Sequence, residues 1–387
     1  GLRRFQEAVF RGDALFTRRS PDRWRGCEAA ARHFLGADID HGVFIDDVSV
    51  LIGEYHIPPN EIDHVLCQHL LVLKACRQAM IDAGLPLREK RPAMGVVIGM
   101  DFDAEANDYH FRWNLTNEFD RWKQRYGLTG SPDDNRAWIE SIRDAWSPPL
   151  VSSRVVGALG GIMASRVAKE FQLGGPGFVV SCDSASGLRA LEIGVRSLQL
   201  FETDAFLVGA VDLSGDIRRM VVDDVHHRFS RSGRVRPFDL QADGHLPGEG
   251  TAALVLKRLE DAVADGNRVY CVIKGFGSAG SRDVMDGEQE AFAAALGKTY
   301  GVSLERAFQD AGVDPVTVSL METSGSGDPV TDHIEATALG DFFRKAEAGT
   351  AKRCALGSVQ SNIGHAGAAA GLASFVKTSL CLYQQII

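Results

Sequence analysis

The sequence has no cluster of lysine and arginine, no Cys-x-x-Cys pair and no apolar run long enough to cross a bilayer. Each absence removes a class of function. Without clustered positive charge, and with a formal net charge of −9, the chain offers no surface built to neutralise phosphates, so nucleic acid is not an expected partner. Its seven cysteines, at 27, 67, 76, 182, 271, 354 and 381, are odd in number and widely spaced. That pattern points away from a disulfide framework or a zinc site and towards a reducing, cytoplasmic compartment. His226 and His227 are adjacent, so their side chains tend to diverge, and no third ligand follows at metal spacing; they read as a solvated loop. No metal and no cofactor is expected. What is present is apolar material, 45% of 387 residues, enough for one large core or two medium ones.

The stretch 176–191, PGFVVSCDSASGLRAL, organises the chain. Val179 and Val180 are followed by small polar residues and then by Leu188, Leu191, Val195 and Leu198 at helical spacing, which predicts a buried strand turning sharply into an amphipathic helix. Ser184 stands at the bend, where unpaired N–H groups and the positive end of the helix dipole favour negative charge. Upstream, Asn60 and Asp63 are expected to cap a helix running over Val65 to Met80, and the apolar run 94–100 predicts a strand buried on both faces. Residues 103–150 interrupt this rhythm with Trp113, Trp122, Trp138 and Trp146, and Phe119, Trp122 and Tyr126 share one helix face. Such a stripe predicts packing or a subunit contact ahead of a cofactor site. Downstream, a glycine-rich helix over 157–171 is expected to admit a close neighbour, and further strands are expected at 205–211, 252–257, 269–275, 316–322 and 354–359. Strands alternating with helices predict an α/β architecture. Helix-like patterns at both termini are expected to belong to a segment of a longer polypeptide.

Three stretches each follow an expected strand and precede an expected helix: 181–186, 323–328 (TSGSGD) and 360–365 (QSNIGH). Strand C-termini are where ligands bind in open α/β sheets, so convergence of the three predicts one site. With GGPGF (174–178), RPFDLQADGHLPGEG (236–250), LVLKRLEDAVADGNRVYCVIKG (254–275), GSGDPVTDHIEA (325–336) and SNIGHAGAAAG (361–371), the chain resembles the β-ketoacyl synthases over nearly its whole length. The resemblance implies a thiolase-like fold of two similar α/β halves in αβαβα layers. The halves are expected at 1–258, with an aromatic-rich helical insertion at about 103–150, and 259–387. It also implies that a first strand and the last strands of the second half lie outside the chain.

Members of that family use a cysteine nucleophile at the elbow, two histidines and a lysine. By the resemblance, the nucleophile's position falls on Ser184, the first histidine's on Ser324 and the lysine's on Gln360; only His365 keeps the family residue. A helix N-terminus turns a cysteine into a thiolate, whereas a serine needs an adjacent base, and the place for that base holds Ser324. Ser184 therefore reads as a helix N-cap and Cys182 as a small buried hydrophobe. His365 reads equally as a hydrogen-bonded core residue or as an aid to malonyl decarboxylation. The resemblance points most closely to chain length factor domains of polyunsaturated fatty acid or polyketide synthases. Such a domain is condensation-inactive, works with acyl carrier protein and pairs with an active ketosynthase or with a second copy. The alternatives are an acyltransferase or 3-oxoacyl synthase using Ser184 with His365 as base, and a malonyl decarboxylase resting on His365.

Overall fold

The structure is a computed structural model describing all residues except 25, 37–38, 102, 148, 150, 281–288, 347–353 and 387, together with the side chains of 226, 289, 290 and 346. The chain begins with α1 (Leu2–Arg11), β1 (Thr17–Arg18), α2 (Glu28–Leu35) and β2 (His41–Gly42), the two short strands pairing antiparallel. Helix α3 (Cys67–Asp82) follows a separate 3-10 turn at Pro59–His64, and Asn60 and Asp63 do not cap it. The Glu105 carboxylate instead accepts the Cys67 N–H at 2.8 Å. A carboxylate from a distant helix thus meets the positive end of α3, a partner that local spacing cannot report.

Strand β3 (Met94–Gly99) is buried at all six positions, as its unbroken apolar run predicts. Next come α4 (Ala104–Tyr126) and α5 (Pro132–Trp146), a helical hairpin capped by Asp103 and Ser131. The aromatic stripe is split by this hairpin: Phe119 is buried against Trp138 with ring centres 5.1 Å apart, while Tyr126 and Trp113 face outward, Trp113 at 79% exposure. The glycine-rich run forms two helices, α6 (Ser152–Gly157) and α7 (Ile162–Glu170), rather than one. A Cβ at Gly160 or Gly161 would meet nothing within 4 Å, so these glycines break the helix instead of admitting a neighbour.

Strand β4 (Gly177–Val180), α8 (Ser186–Gln199), β5 (Ala205–Leu213), α9 (Ile217–His226), β6 (Glu249–Lys257) and α10 (Leu259–Ala264) follow. One sheet of order β4-β3-β5-β6 results, with β3 parallel to both neighbours and β6 antiparallel to β5. The chain continues with α11 (Gln289–Ala311), β7 (Leu320–Glu322), α12 (Pro329–Ala346), β8 (Ala355–Gly357), α13 (Gln360–Ile363) and α14 (Ala370–Gln384). β7 and β8 form a parallel pair. Helices α3 and α7 cover one face of the larger sheet, packing Cys76, Met80, Met163 and Val167 on Val96 and Ile98. Helices α8 and α14 cover the other, packing Leu191, Leu198 and Leu372 on Val97, Phe206 and Val208. Burying each such side chain stabilises the fold by roughly 1.5–3 kcal/mol.

Two strand expectations fail for one reason. β4 is an edge strand with Gly177 and Phe178 exposed, not a buried one. Residues 269–275 form no strand, and no backbone pairing occurs at 268–280 among the described residues. High β-propensity reports a fit to a pleated surface, but a ladder also needs a neighbour, which is a non-local condition.

Candidate active-site elbow and its surroundings

The chain leaves β4 and bends through Asp183, a non-glycine residue at φ 50°, in the left-handed region that Asp tolerates better than most. Ser186 closes the bend: its hydroxyl donates to the Asp183 carbonyl at 2.5 Å and accepts the Cys182 N–H at 2.8 Å. Helix α8 starts at Ser186 with Ala185 in the cap position and no side-chain cap. Ser184 is therefore not the N-cap; it is half-buried, and its hydroxyl has no hydrogen-bond partner among the described residues. Cys182 is exposed, not a buried hydrophobe. The exposure of Cys182 follows from β4 lying at the sheet edge, and Ser184 misses the cap because the bend runs one residue further before α8 begins. Gly99 and Gly187 allow the elbow to sit close. A Cβ on Gly99 would lie 2.7 Å from the Ser186 backbone, and one on Gly187 would lie 2.8 Å from the Ala368 carbonyl.

The 323–328 loop is wound around two buried carboxylates of α12. Ser324 and Gly325 donate their N–H groups to Glu335 at 2.9 Å each, and the N–H groups of Ser326, Gly327 and Phe238 go to Asp332. Ser324 itself is exposed. The buried Gln360 amide donates to the Ser324 hydroxyl at 3.4 Å, and its Oε1 has no partner among the described residues. Two neutral groups thus meet where, by the resemblance, a histidine and a lysine are expected. Neither supplies a base or a fixed positive charge.

His365 is half-buried and held by its backbone, donating to Leu246 and accepting from Gly248 at 2.8 and 2.9 Å. Its Nδ1 accepts the Gly367 N–H at 3.3 Å, which places the neutral ring's proton on Nε2. Burial pushes its pKa down to about 4, with His227 acting in the same direction and Asp183 opposing. His245, whose ring centre lies 5.9 Å away, is pushed by burial to about 3. Both rings are neutral at pH 7, so His365 offers an N–H donor rather than a base. Of the expected loop pair, His227 is exposed and the His226 side chain lies outside the described residues. Among the described residues no group of three or more His, Cys, Asp or Glu side chains is placed to hold a metal.

Arg219, Asp101, Asp223 and Asp212, charged residues that sequence reasoning misses, complete the site around Asp183. Arg219 of α9 bridges Asp101, just beyond β3, Asp183 at the bend, at 3.0 Å, and Asp223 on its own helix, at 2.8 Å. Asp212, buried at the end of β5, accepts the Ala368 N–H at 2.8 Å. Desolvation pushes its pKa up to about 7. A Cβ on Gly367 would lie 2.1 Å from that carboxylate, and Gly367 has φ 47°. The elbow is therefore seated against 365–368, and 323–325 against 358–360. A cavity of about 1150 Å³ beside β6 is lined by Ile363 and Ala366 but by none of Ser184, Ser324, Gln360 and His365. No helix among the described residues is long and apolar enough to cross a membrane.

Residues 1–262 match the family model of the β-ketoacyl synthase N-terminal domain, and 270–387 match that of the C-terminal domain. The chain is 30% identical over 393 aligned residues to a mycocerosic acid synthase-like polyketide synthase of Mycobacterium tuberculosis, covering 99% of this chain and 16% of that protein. It is 31% identical to one subunit of the polyunsaturated fatty acid synthase of a Thraustochytrium species, covering 88% of this chain and 12% of that one. The chain thus spans about a sixth or less of the length of these relatives. A solved structure described as the PfaC keto synthase-chain length factor superposes with a TM-score of 0.78 at 23% identity, covering 98% of this chain and 38% of that one. The fold is the thiolase-like ketosynthase fold.

Proposed function

Because the chain belongs to the β-ketoacyl synthase family, as a ketosynthase-like domain akin to those of polyketide and fatty acid synthases, we propose that it is a condensation-inactive chain length factor. In this reading it pairs with an active ketosynthase and shapes the tunnel that receives acyl chains from acyl carrier protein. The observation that carries the proposal is the contact between Ser324 and Gln360, two neutral side chains at 3.4 Å. Condensation needs a group that activates the nucleophile and donors for the developing oxyanion. Position 184 holds an unpartnered hydroxyl, and the His365 Nδ1 lone pair is already engaged by Gly367. Pairing is supported by the outer edge of β4, which among the described residues bonds only to β3 and carries Phe178 at 38% exposure. Exposed Val155, Val156 and Leu159 add apolar surface.

Incubation with acyl-carrier or acyl-CoA substrate is expected to leave Ser184 and Cys182 without an acyl adduct by peptide mass spectrometry. A Ser184→Ala change is expected to leave product formation by the assembled pair unaltered. An adduct on Ser184 would instead establish the acyltransferase reading, with loss of the adduct in the variant. The decarboxylase reading keeps one specific support, the Nε2–H of His365, which can donate to a thioester or enolate oxygen. It requires acetyl-carrier product from malonyl-carrier substrate, and that product must vanish in His365→Ala.

A further inference from the structure

We propose that Arg219 is a positioning residue that pins the elbow with a carboxylate beside position 184, and so makes that position unfit to carry a thiolate. Three elements converge on its guanidinium, through Asp101, Asp183 and Asp223. The Asp183 side chain is exposed, so on its own it would turn freely in solvent. The fork of Arg219, itself mostly buried, holds it in place. The same contact restrains the left-handed backbone of Asp183, whose carbonyl also takes the Ser186 hydroxyl.

The elements gathered at Arg219 and the elbow contribute charged or titratable groups. The loop after β3 supplies Asp101, the elbow Asp183 and β5 the buried Asp212. Helix α9 supplies Arg219 and Asp223, and the faces opposite supply His227 and His365. One guanidinium thus faces three carboxylates directly, with a fourth close by. A helix N-terminus carries only about half an elementary positive charge. Like charge nearby raises the pKa of a thiol, the reverse of what an elbow nucleophile needs. Restoring cysteine at 184 therefore does not restore a nucleophile.

The inference deepens the proposed function and rests on it only for the identity of position 184 as the nucleophile's place. Its test is a thiol titration. In a Cys182→Ser, Ser184→Cys background, the rate at which the thiolate displaces iodide from iodoacetamide is followed at residue 184 by peptide mass spectrometry across pH. The midpoint is expected above the ordinary free-cysteine value of about 8.5. Adding Asp183→Asn, which tolerates the left-handed backbone and removes the charge, is expected to lower it by about one unit, roughly a tenfold faster reaction at pH 7. Arg219→Lys keeps the charge but loses the three-way fork, so Asp183 is released and the midpoint falls as well. A parent midpoint near or below 7, or a midpoint unmoved by Asp183→Asn, overturns the inference. Asp183 is exposed, so its variant reports the charge even where Arg219→Lys loosens the fold. The two proposals fail separately: an acyl adduct on native Ser184 sinks the inactive-partner reading and leaves the titration as it stands, whereas a low-midpoint thiol does the opposite.

Discussion

Replacing Arg23 with methionine is expected to destabilise the protein by about 3–5 kcal/mol, because it strands a buried carboxylate. The partner is Glu249 of the LPGEG motif, whose side chain is fully buried. Its Oε1 accepts from Arg23 and from the Gly215 N–H, and its Oε2 accepts the Ile45 N–H at 2.7 Å. Burial pushes the Glu249 pKa up, and Arg23 opposes that shift. With the guanidinium gone, the pKa rises further, so the loss is larger at pH 8 than at pH 5. Denaturant unfolding of the variant measures it. Adding Glu249→Gln is expected to recover most of the stability, because a neutral amide oxygen still accepts from Ile45. A loss under about 1 kcal/mol, within the range of exposed pairs, would mean that this ion pair does not tie the N-terminal segment to the sheet.

Asp212→Asn is expected to act in the opposite direction. The folded protein holds the Asp212 proton up to about pH 7, while an unperturbed aspartate releases it near 3.8. The folded state therefore binds more protons than the unfolded chain between these values, and wild-type stability falls as pH rises through that window. At roughly 1.4 kcal/mol per unit, the buried charge costs up to about 4 kcal/mol above pH 7. The asparagine variant keeps an oxygen for the Ala368 N–H and carries no charge. Its thermal midpoint is expected to exceed that of wild type by several degrees at pH 8, with the difference vanishing near pH 4. An equal midpoint at both pH values would show that Asp212 is not buried as a charge. The joint between the elbow and 365–368 would then rest on packing alone.

Much of the fold is legible in local pattern. The all-apolar run at 94–100 becomes the central β3, and the helical spacing after the bend becomes α8. Errors cluster where a residue's state depends on something distant. Ser184 has the chemistry of an N-cap, yet the bend spends an extra residue and Ser186 makes the hydrogen bonds. Cys182 is apolar enough to be buried, yet it follows an edge strand and is exposed. Asp332 and Glu335 are visible in the sequence only as parts of a motif, although their position in the first turns of α12 is a cue for capping backbone N–H groups.

The elbow divides the two kinds of information. Sequence alone determined the family resemblance, the α/β alternation and, through that resemblance, the expectation that Ser184, Ser324 and Gln360 stand where the family has its nucleophile, a histidine and a lysine. These are matters of residue identity and spacing along one chain. Tertiary structure decided that Ser324 meets Gln360, that the His365 Nδ1 is occupied, and that Arg219 holds a carboxylate 36 residues away beside the bend. The physical reason is that a spacing pattern records which face of an element is apolar, whereas exposure, ion pairing and pKa depend on which other segments the folded chain brings within a few ångströms.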